Sequence, residues 1–273
     1  MKFFILFLLM FSSLPAYEYE LTVCAIFQND SKYMPEWIEF HNRQGVEHFY
    51  LYNNRSMDDW ERYLSPYVKS GLIEIINWPY TPTSIVEWIE IQCAAYNHAI
   101  IHFGKKMKWC AFIDTDEFLF SPEKSTLPEI LKEFKHYGGV VVNWMMYGTS
   151  GIEKTDGYIL DKLLYRAENS HICHKSLKSI VRPNKVIGCI NPHFFFYKPG
   201  KYAVDENHNV VQSVTTDALS VNILRINHYW SRDKEFFETV KMKRNIRWDG
   251  DYSRWRSLER QFNEIYDPIL KSD

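Results

Sequence analysis

Two aspartates two residues apart, Asp114 and Asp116, stand directly behind the apolar run Trp109 to Ile113, and Glu117 follows at once. A buried strand that ends in carboxylates puts hard oxygen donors at the lip of a sheet, where open α/β folds keep their ligands. Such donors suit Mg²⁺ or Mn²⁺. On an extended chain, side chains two residues apart project to the same side. At an effective dielectric of 20, like charges about 4 Å apart repel by about 4 kcal/mol. A cation removes that repulsion and leaves coordination positions for a substrate phosphate. An isolated Asp-x-Asp is equally a solvated strand end or a helix cap, so the surrounding chain has to decide.

The elements that would position these carboxylates read as alternating strands and helices, the pattern of a parallel sheet with covering helices. Strands are expected at Leu21 to Phe27, Glu47 to Tyr52, Leu72 to Ile76, Trp109 to Ile113, Val140 to Trp144 and Ile223 to Asn227. Helices are expected from Pro35 to about Gln44, from Asp58 to Val68, behind a Ser84 and Glu87 capping box, and from Thr126 and Glu129 to about Tyr137. Val86, Ile89, Cys93, Tyr96 and Ile100 recur at helical spacing as a core stripe. Ser231 is expected to cap a last helix with Asp233 and Glu235 in its first turn. Beyond residue 145 the alternation becomes irregular, with turn-rich stretches suited to an acceptor side.

With 273 residues and 46% hydrophobic content, the chain can bury a sizeable core. A formal net charge of −2 gives no global pull toward nucleic acid or anionic membranes, so phosphate recognition must be local. Lys241, Lys243, Arg244, Arg247, Arg254, Arg256 and Arg260, interleaved with Trp248 and Trp255, read first as a solvated helix face and second as a phosphate-contacting edge. No nucleic-acid motif accompanies them. Residues 1–16 run from basic through apolar to small, as in a secretory signal or a short N-terminal anchor, which would make this segment the chain's one tie to a membrane. Residues 17–273 are expected to form one domain, with a nucleotide-binding half at 17–120 and an acceptor-side half at 121–273. The five cysteines supply no pairing; Cys24 and Cys110 read as buried thiols, and His171-Ile-Cys-His174 as polar loop residues.

Several stretches together resemble glycosyltransferase family 92: Ala25-Ile-Phe-Gln-Asn29, Glu36-Trp-Ile-Glu-Phe-His41, Gly45-Val-Glu-His-Phe-Tyr-Leu-Tyr-Asn53, Ile113-Asp-Thr-Asp-Glu-Phe118, Lys178-Ser-Ile-Val-Arg-Pro183 and Asn227-His-Tyr-Trp-Ser231. The resemblance runs from about Leu21 to Arg244. It implies a GT-A-like, Rossmann-type α/β fold with a mostly parallel central sheet flanked by helices and an irregular C-terminal acceptor-side region. It also implies inverting transfer of a sugar, galactose as the best guess, from a nucleotide-sugar donor to a glycan acceptor, with Mn²⁺ or Mg²⁺. Carried onto this sequence, Asp114 faces the donor ribose and the metal, Asp116 coordinates the metal, and His228 is the third protein ligand. Phe27, Gln28, Asn29 and Asn53 close strands on the same edge and are expected at the base and ribose, although turn chemistry explains the asparagines equally well. Lys178 and Arg182 are expected at the diphosphate or acceptor, or else as exposed strand charges. Trp144 and Gly148 match the acceptor side.

An inverting transfer needs a base within about 3 Å of the acceptor hydroxyl. Asp217, Glu206, Glu153 and His193 lie in suitable regions, and Asp217 is placed first because it precedes the strand leading to His228. Two other classes compete. Haloacid-dehalogenase-like phosphatases also use Asp-x-Asp, but they want Thr or Val where Phe118 stands. A non-catalytic carbohydrate-binding protein on a transferase scaffold would bind glycans and show no metal-assisted nucleotide affinity.

Overall fold

The computed structural model describes residues 17–244 and 250–272; the leader at 1–16, and Arg247 and Trp248 of the basic stretch, lie outside them. The first strand, β1, is Tyr19–Phe27. Its side chains divide by parity, as a strand's must. Leu21, Val23, Ala25 and Phe27 enter one core with Trp37 and Ile38, while Cys24 and Ile26 enter a second with Tyr96 and Ala99. A strand covered on both faces has no polar side to show, so from Leu21 to Phe27 every residue but Thr22 is apolar, and the Thr22 hydroxyl donates to the Trp109 carbonyl.

The chain continues through α1 (Met34–Arg43), β2 (His48–Asn53), α2 (Trp60–Lys69), β3 (Ile73–Asn77), α3 (Ile85–Phe103) and β4 (Met107–Phe112). Each expected helix and strand in this half is present within about two residues. Ser84 accepts from the Glu87 amide as a cap should, but Glu87 reaches back to Thr83 instead of closing the box on Ser84. Val86 of the expected core stripe is 60% exposed. After β5 (Glu117–Phe120), the Thr126 and Glu129 capping box opens α4, which ends at Leu131 instead of Tyr137.

The second half holds β6 (Gly139–Met146), β7 (Tyr165–Arg166), β8 (Leu177–Val181), β9 (Val186–Asn191), β10 (Phe194–Tyr197), β11 (Ala203–Val204), β12 (Val210–Val211) and β13 (Arg225–His228). Next come α5 (Lys234–Phe236), continued by a π turn at Phe237–Lys241, then α6 (Tyr252–Gln261) and β14 (Ile265–Tyr266). Asp233, not the expected Ser231, caps α5, accepting from the Phe236 amide.

Among the described residues, ten strands form one mixed sheet along the path β12-β11-β6-β8-β4-β1-β2-β3, with β13 and β5 attached through β6. Strands β3, β2, β1 and β4 are parallel. Strand β8 is wedged antiparallel between β4 and β6, an interruption that the alternating pattern did not reveal. Because β13 is parallel to β6, the C-terminal ends of β1, β2, β4, β6 and β13 all open on one edge, where β8 begins.

All five cysteines are thiols, and Cys24 and Cys110 are buried as expected. The sulfurs of Cys93 on α3 and Cys189 on β9 approach to 3.3 Å, a proximity that spacing alone did not supply. His174 is buried and accepts from the Met146 amide, so the His171–His174 segment is structural. No helix among the described residues is long and apolar enough to cross a membrane.

Candidate active site

Asp114 and Asp116 occupy a turn between β4 and β5, not an extended strand end. The Glu117 amide donates to the Asp114 carbonyl, and the Glu117 carboxyl accepts from the Asp114 amide at 2.8 Å. Strand β13 locks this turn from the other side, with the Tyr229 amide on the Asp116 carbonyl at 2.8 Å and His228 in register with Glu117. Both aspartates line a cavity of about 640 Å³. Its walls come from Phe27 to Asp30 at the end of β1, Asn54 and Arg55 after β2, and Trp88, Ile89 and Gln92 on α3. They are completed by Trp144 on β6, His193 between β9 and β10, and His228, Trp230, Arg232, Phe236, Lys241 and Arg244. The volume is that of a small-molecule site.

Each carboxylate here meets a cation. Asp114 Oδ2 accepts from Lys178 Nζ at 2.8 Å and its Oδ1 from Gln92 Nε2 at 2.7 Å. Asp116 Oδ2 accepts from Lys241 Nζ at 2.8 Å. Asp30 Oδ2 accepts from Arg232 Nη2 at 2.8 Å and from the Thr115 hydroxyl. Burial opposes ionisation of Asp114, but Lys178 outweighs it and holds the carboxyl below its usual range. Burial likewise opposes Asp116, and Lys241 with His228 holds it well below that range. Glu117 is the exception. Its burial is only partly offset by Lys178, and its carboxyl is pushed well up. Burial also takes the Lys241 ammonium down to about 8 against the pull of Asp116.

A divalent cation has two protein donors ready. Asp116 Oδ1 lies 3.3 Å from His228 Nε2. The other ring nitrogen, Nδ1, lies 3.8 Å from Glu117 Oε1, and both atoms are buried without a hydrogen-bond partner among the described residues. An imidazole whose outer nitrogen is backed by a carboxyl matches the build of metal-ligating histidines. Asp114 is drawn aside, since both its oxygens are already bonded. No three His, Cys, Asp or Glu side chains among the described residues form a closed metal site. Two protein donors leave the remaining positions to phosphate oxygens and water, as Mg²⁺ sites often do.

Phe27, Gln28, Asn29 and Trp144 line the cavity as expected. Others do not. Asn53 Oδ1 accepts from the Ser56 amide and shapes the turn, while its neighbour Asn54 lines the wall. Asn54 is fully buried, donating to the carbonyls of Trp78 and Tyr80 at 2.9 and 2.8 Å. Lys178 is 1% exposed and sits behind Asp114, so it is neither a solvated strand charge nor part of the wall. Arg182 lies at the far end of β8, about 13 Å along an antiparallel strand from Lys178. There it donates to the Lys135 carbonyl and stacks over Trp109.

Gly148 is a packing position outside the cavity wall. A Cβ there would lie 2.3 Å from the Asn263 amide, which Glu259 and Ser150 hold in place. Gly148→Ala should therefore cost about 1–3 kcal/mol of stability in urea denaturation.

Of the candidate bases, Asp217 is exposed and off the wall, and Glu153 is a surface residue paired with Lys234. Glu206 is buried, its carboxylate accepting from the amides of Asn222, Ile223 and Leu224. His193 alone of the four faces the cavity.

Sequence reasoning missed Gln92, Asp30, Arg232 and the role of Lys241. Lys241 belongs to the basic stretch read first as a solvated face, yet it is 4% exposed. The π turn adds a residue to the helical turn and so rotates Lys241 inward, which α-helical spacing does not foretell. Arg232 directly follows the Asn227–Ser231 stretch, a signal that was available.

The chain matches the sequence model of Glycosyltransferase family 92 over residues 19–258. A glycosyltransferase family 92 protein of Oryza sativa subsp. japonica is 27% identical over 81% of this chain and 35% of its own length. One from Ricinus communis is 26% identical over 80% of this chain and 37% of its own. The chain thus spans little more than a third of these curated relatives. A crystal structure of S. aureus TarS 1–349 superposes with a TM-score of 0.42 and 13% identity over 89% of this chain and 70% of that one.

Proposed function

From a chain that belongs to glycosyltransferase family 92, we propose a metal-dependent, inverting transfer of a hexose, galactose first among the donors to test, from a UDP-sugar to a glycan acceptor. The observation that carries this reading is the meeting of Asp116, His228 and the cations Arg232, Lys241 and Arg244 in one cavity with the residues that follow β1 and β2.

The strand ends at Phe27 to Asn29 suit base and ribose, and the cations suit a diphosphate. Arg232 and Arg244 both line the cavity, and Arg232 Nε and Nη1 and Arg244 Nε have no hydrogen-bond partner among the described residues, so neither guanidinium has all its hydrogens spent on the protein. A bound Mn²⁺ or Mg²⁺, held by Asp116 and His228, would supply Lewis-acid stabilisation of the departing diphosphate. Arg232 is itself steadied by stacking over Tyr33 and Phe236, with ring centroids 4.3 and 4.5 Å away. Among the described residues the wall's carboxylates, Asp30, Asp114 and Asp116, are each paired with a cation, an arrangement that suits a single inverting displacement better than a covalent nucleophile.

Calorimetric titration of UDP with and without Mn²⁺ tests the proposal. Affinity should tighten by about tenfold or more, roughly 1.4 kcal/mol, with the ion and return to the metal-free value in excess EDTA. Glycan binding with no nucleotide affinity under either condition would instead establish a carbohydrate-binding protein.

A further inference from the structure

We infer that His193 Nε2 is the base that takes the proton from the acceptor hydroxyl, an assignment that rests on the donor reading above. The ring lies on the cavity wall between β9 and β10. Its Nδ1 is 2.8 Å from the Leu177 carbonyl, an acceptor only, so Nδ1 carries the proton and Nε2 keeps its lone pair. The Asn191 side chain fixes the loop by accepting from the His193 amide at 2.9 Å. Nε2 has no hydrogen-bond partner among the described residues and is not one of the sealed polar atoms, so it opens on the cavity.

Trp144 stands between the two imidazoles, its ring 5.2 Å from His193 and 4.5 Å from His228. One indole thus touches both rings, and His193 shares the cavity wall with His228 and Asp116. Among the described residues each wall carboxylate is paired with a cation, whereas this nitrogen has no partner.

Burial, helped by the Lys178 charge and only partly opposed by the Leu177 carbonyl and Asp114, lowers the ring to about 4, with His228 pushing the same way. The ring is then neutral at pH 7 and about as basic as an ordinary side-chain carboxylate. In the step, the acceptor oxygen bonds to the anomeric carbon and its proton passes to Nε2. The bond from that carbon to the phosphate oxygen breaks, and its electron pair leaves with the nucleoside diphosphate.

The test compares wild type with His193→Gln. It measures calorimetric UDP binding and UDP release from UDP-galactose, with water and with a panel of p-nitrophenyl β-glycosides as acceptors. It is joined by ¹⁵N spectra of the histidine rings of the wild-type protein at pH 7. The expected result is UDP affinity within about twofold of wild type, release slowed about 10²- to 10⁴-fold, and a neutral His193 ring protonated on Nδ1. A variant within about threefold of the wild-type rate overturns the assignment and leaves the donor reading standing. So does a ring that is cationic or protonated on Nε2, and this spectrum decides alone if the glutamine variant does not fold. Absence of UDP binding by the wild type overturns the donor reading and this step with it.

Discussion

Replacing Asp116 by asparagine should slow UDP release from a UDP-sugar by about 10²- to 10³-fold, the loss typical when one preorganised charge-stabilising group is removed from an active site. Asparagine keeps the volume and one oxygen, so the turn held by the Tyr229 amide survives. What disappears is the charge that pairs with Lys241 and stands 3.3 Å from His228. Alanine at this position is a poorer test than the strand-end reading of the sequence suggests. The carboxylate is 8% exposed, and deleting it strands a buried ammonium, which costs about 3–5 kcal/mol where nothing else compensates. The asparagine variant should keep a cooperative thermal transition and lose the Mn²⁺-dependent gain in UDP affinity. Wild-type release rates in a folded variant would remove Asp116 from the chemistry.

The second large effect concerns stability. Lys178→Met should destabilise the protein by about 3–5 kcal/mol in urea denaturation. Its ammonium is fully buried, and the burial that disfavours it is overcome by Asp114 at 2.8 Å and Glu117 at 3.8 Å. Removing it leaves two carboxyls without their cation in the layer between core and cavity, Glu117 fully buried and Asp114 one-third exposed. Adding Asp114→Asn to the same chain should recover part of the loss, because it deletes the charge that the lysine had balanced. A double-mutant cycle reads that coupling directly. A loss under about 1 kcal/mol would show that water reaches this layer and screens the pair.

Much of this arrangement was legible in the chain. The parallel half follows from apolar runs separated by capped helices, because buried strands and helix caps are local signals. Asp114 and Asp116 stood out through their place behind such a run, and His228 came from the resemblance to family 92. Contacts set by distant pairing were not legible. Strand β8 joins β4 and β6 in an antiparallel sense that no spacing announces, and this direction sends Arg182 away while placing Lys178 against Asp114. Lys241 reads as surface on an α-helical wheel, and only the π turn turns it inward. Asp217 sits close in sequence to β13 and remains in solvent, whereas His193 reaches the cavity on a hairpin whose fold depends on α3 packing against β9.

Asn54 opens the sequence Asn54-Arg55-Ser56, an acceptor signal for asparagine-linked glycosylation. The amide nitrogen that would carry the sugar is the same atom that spends both hydrogens on Trp78 and Tyr80. An oligosaccharide there would take one of those hydrogens and force a bulky polar branch into a seam that admits no solvent. In a host that modifies this signal during synthesis, glycan at Asn54 should be confined to misfolded chains, as mass spectrometry of the soluble and aggregated fractions would reveal.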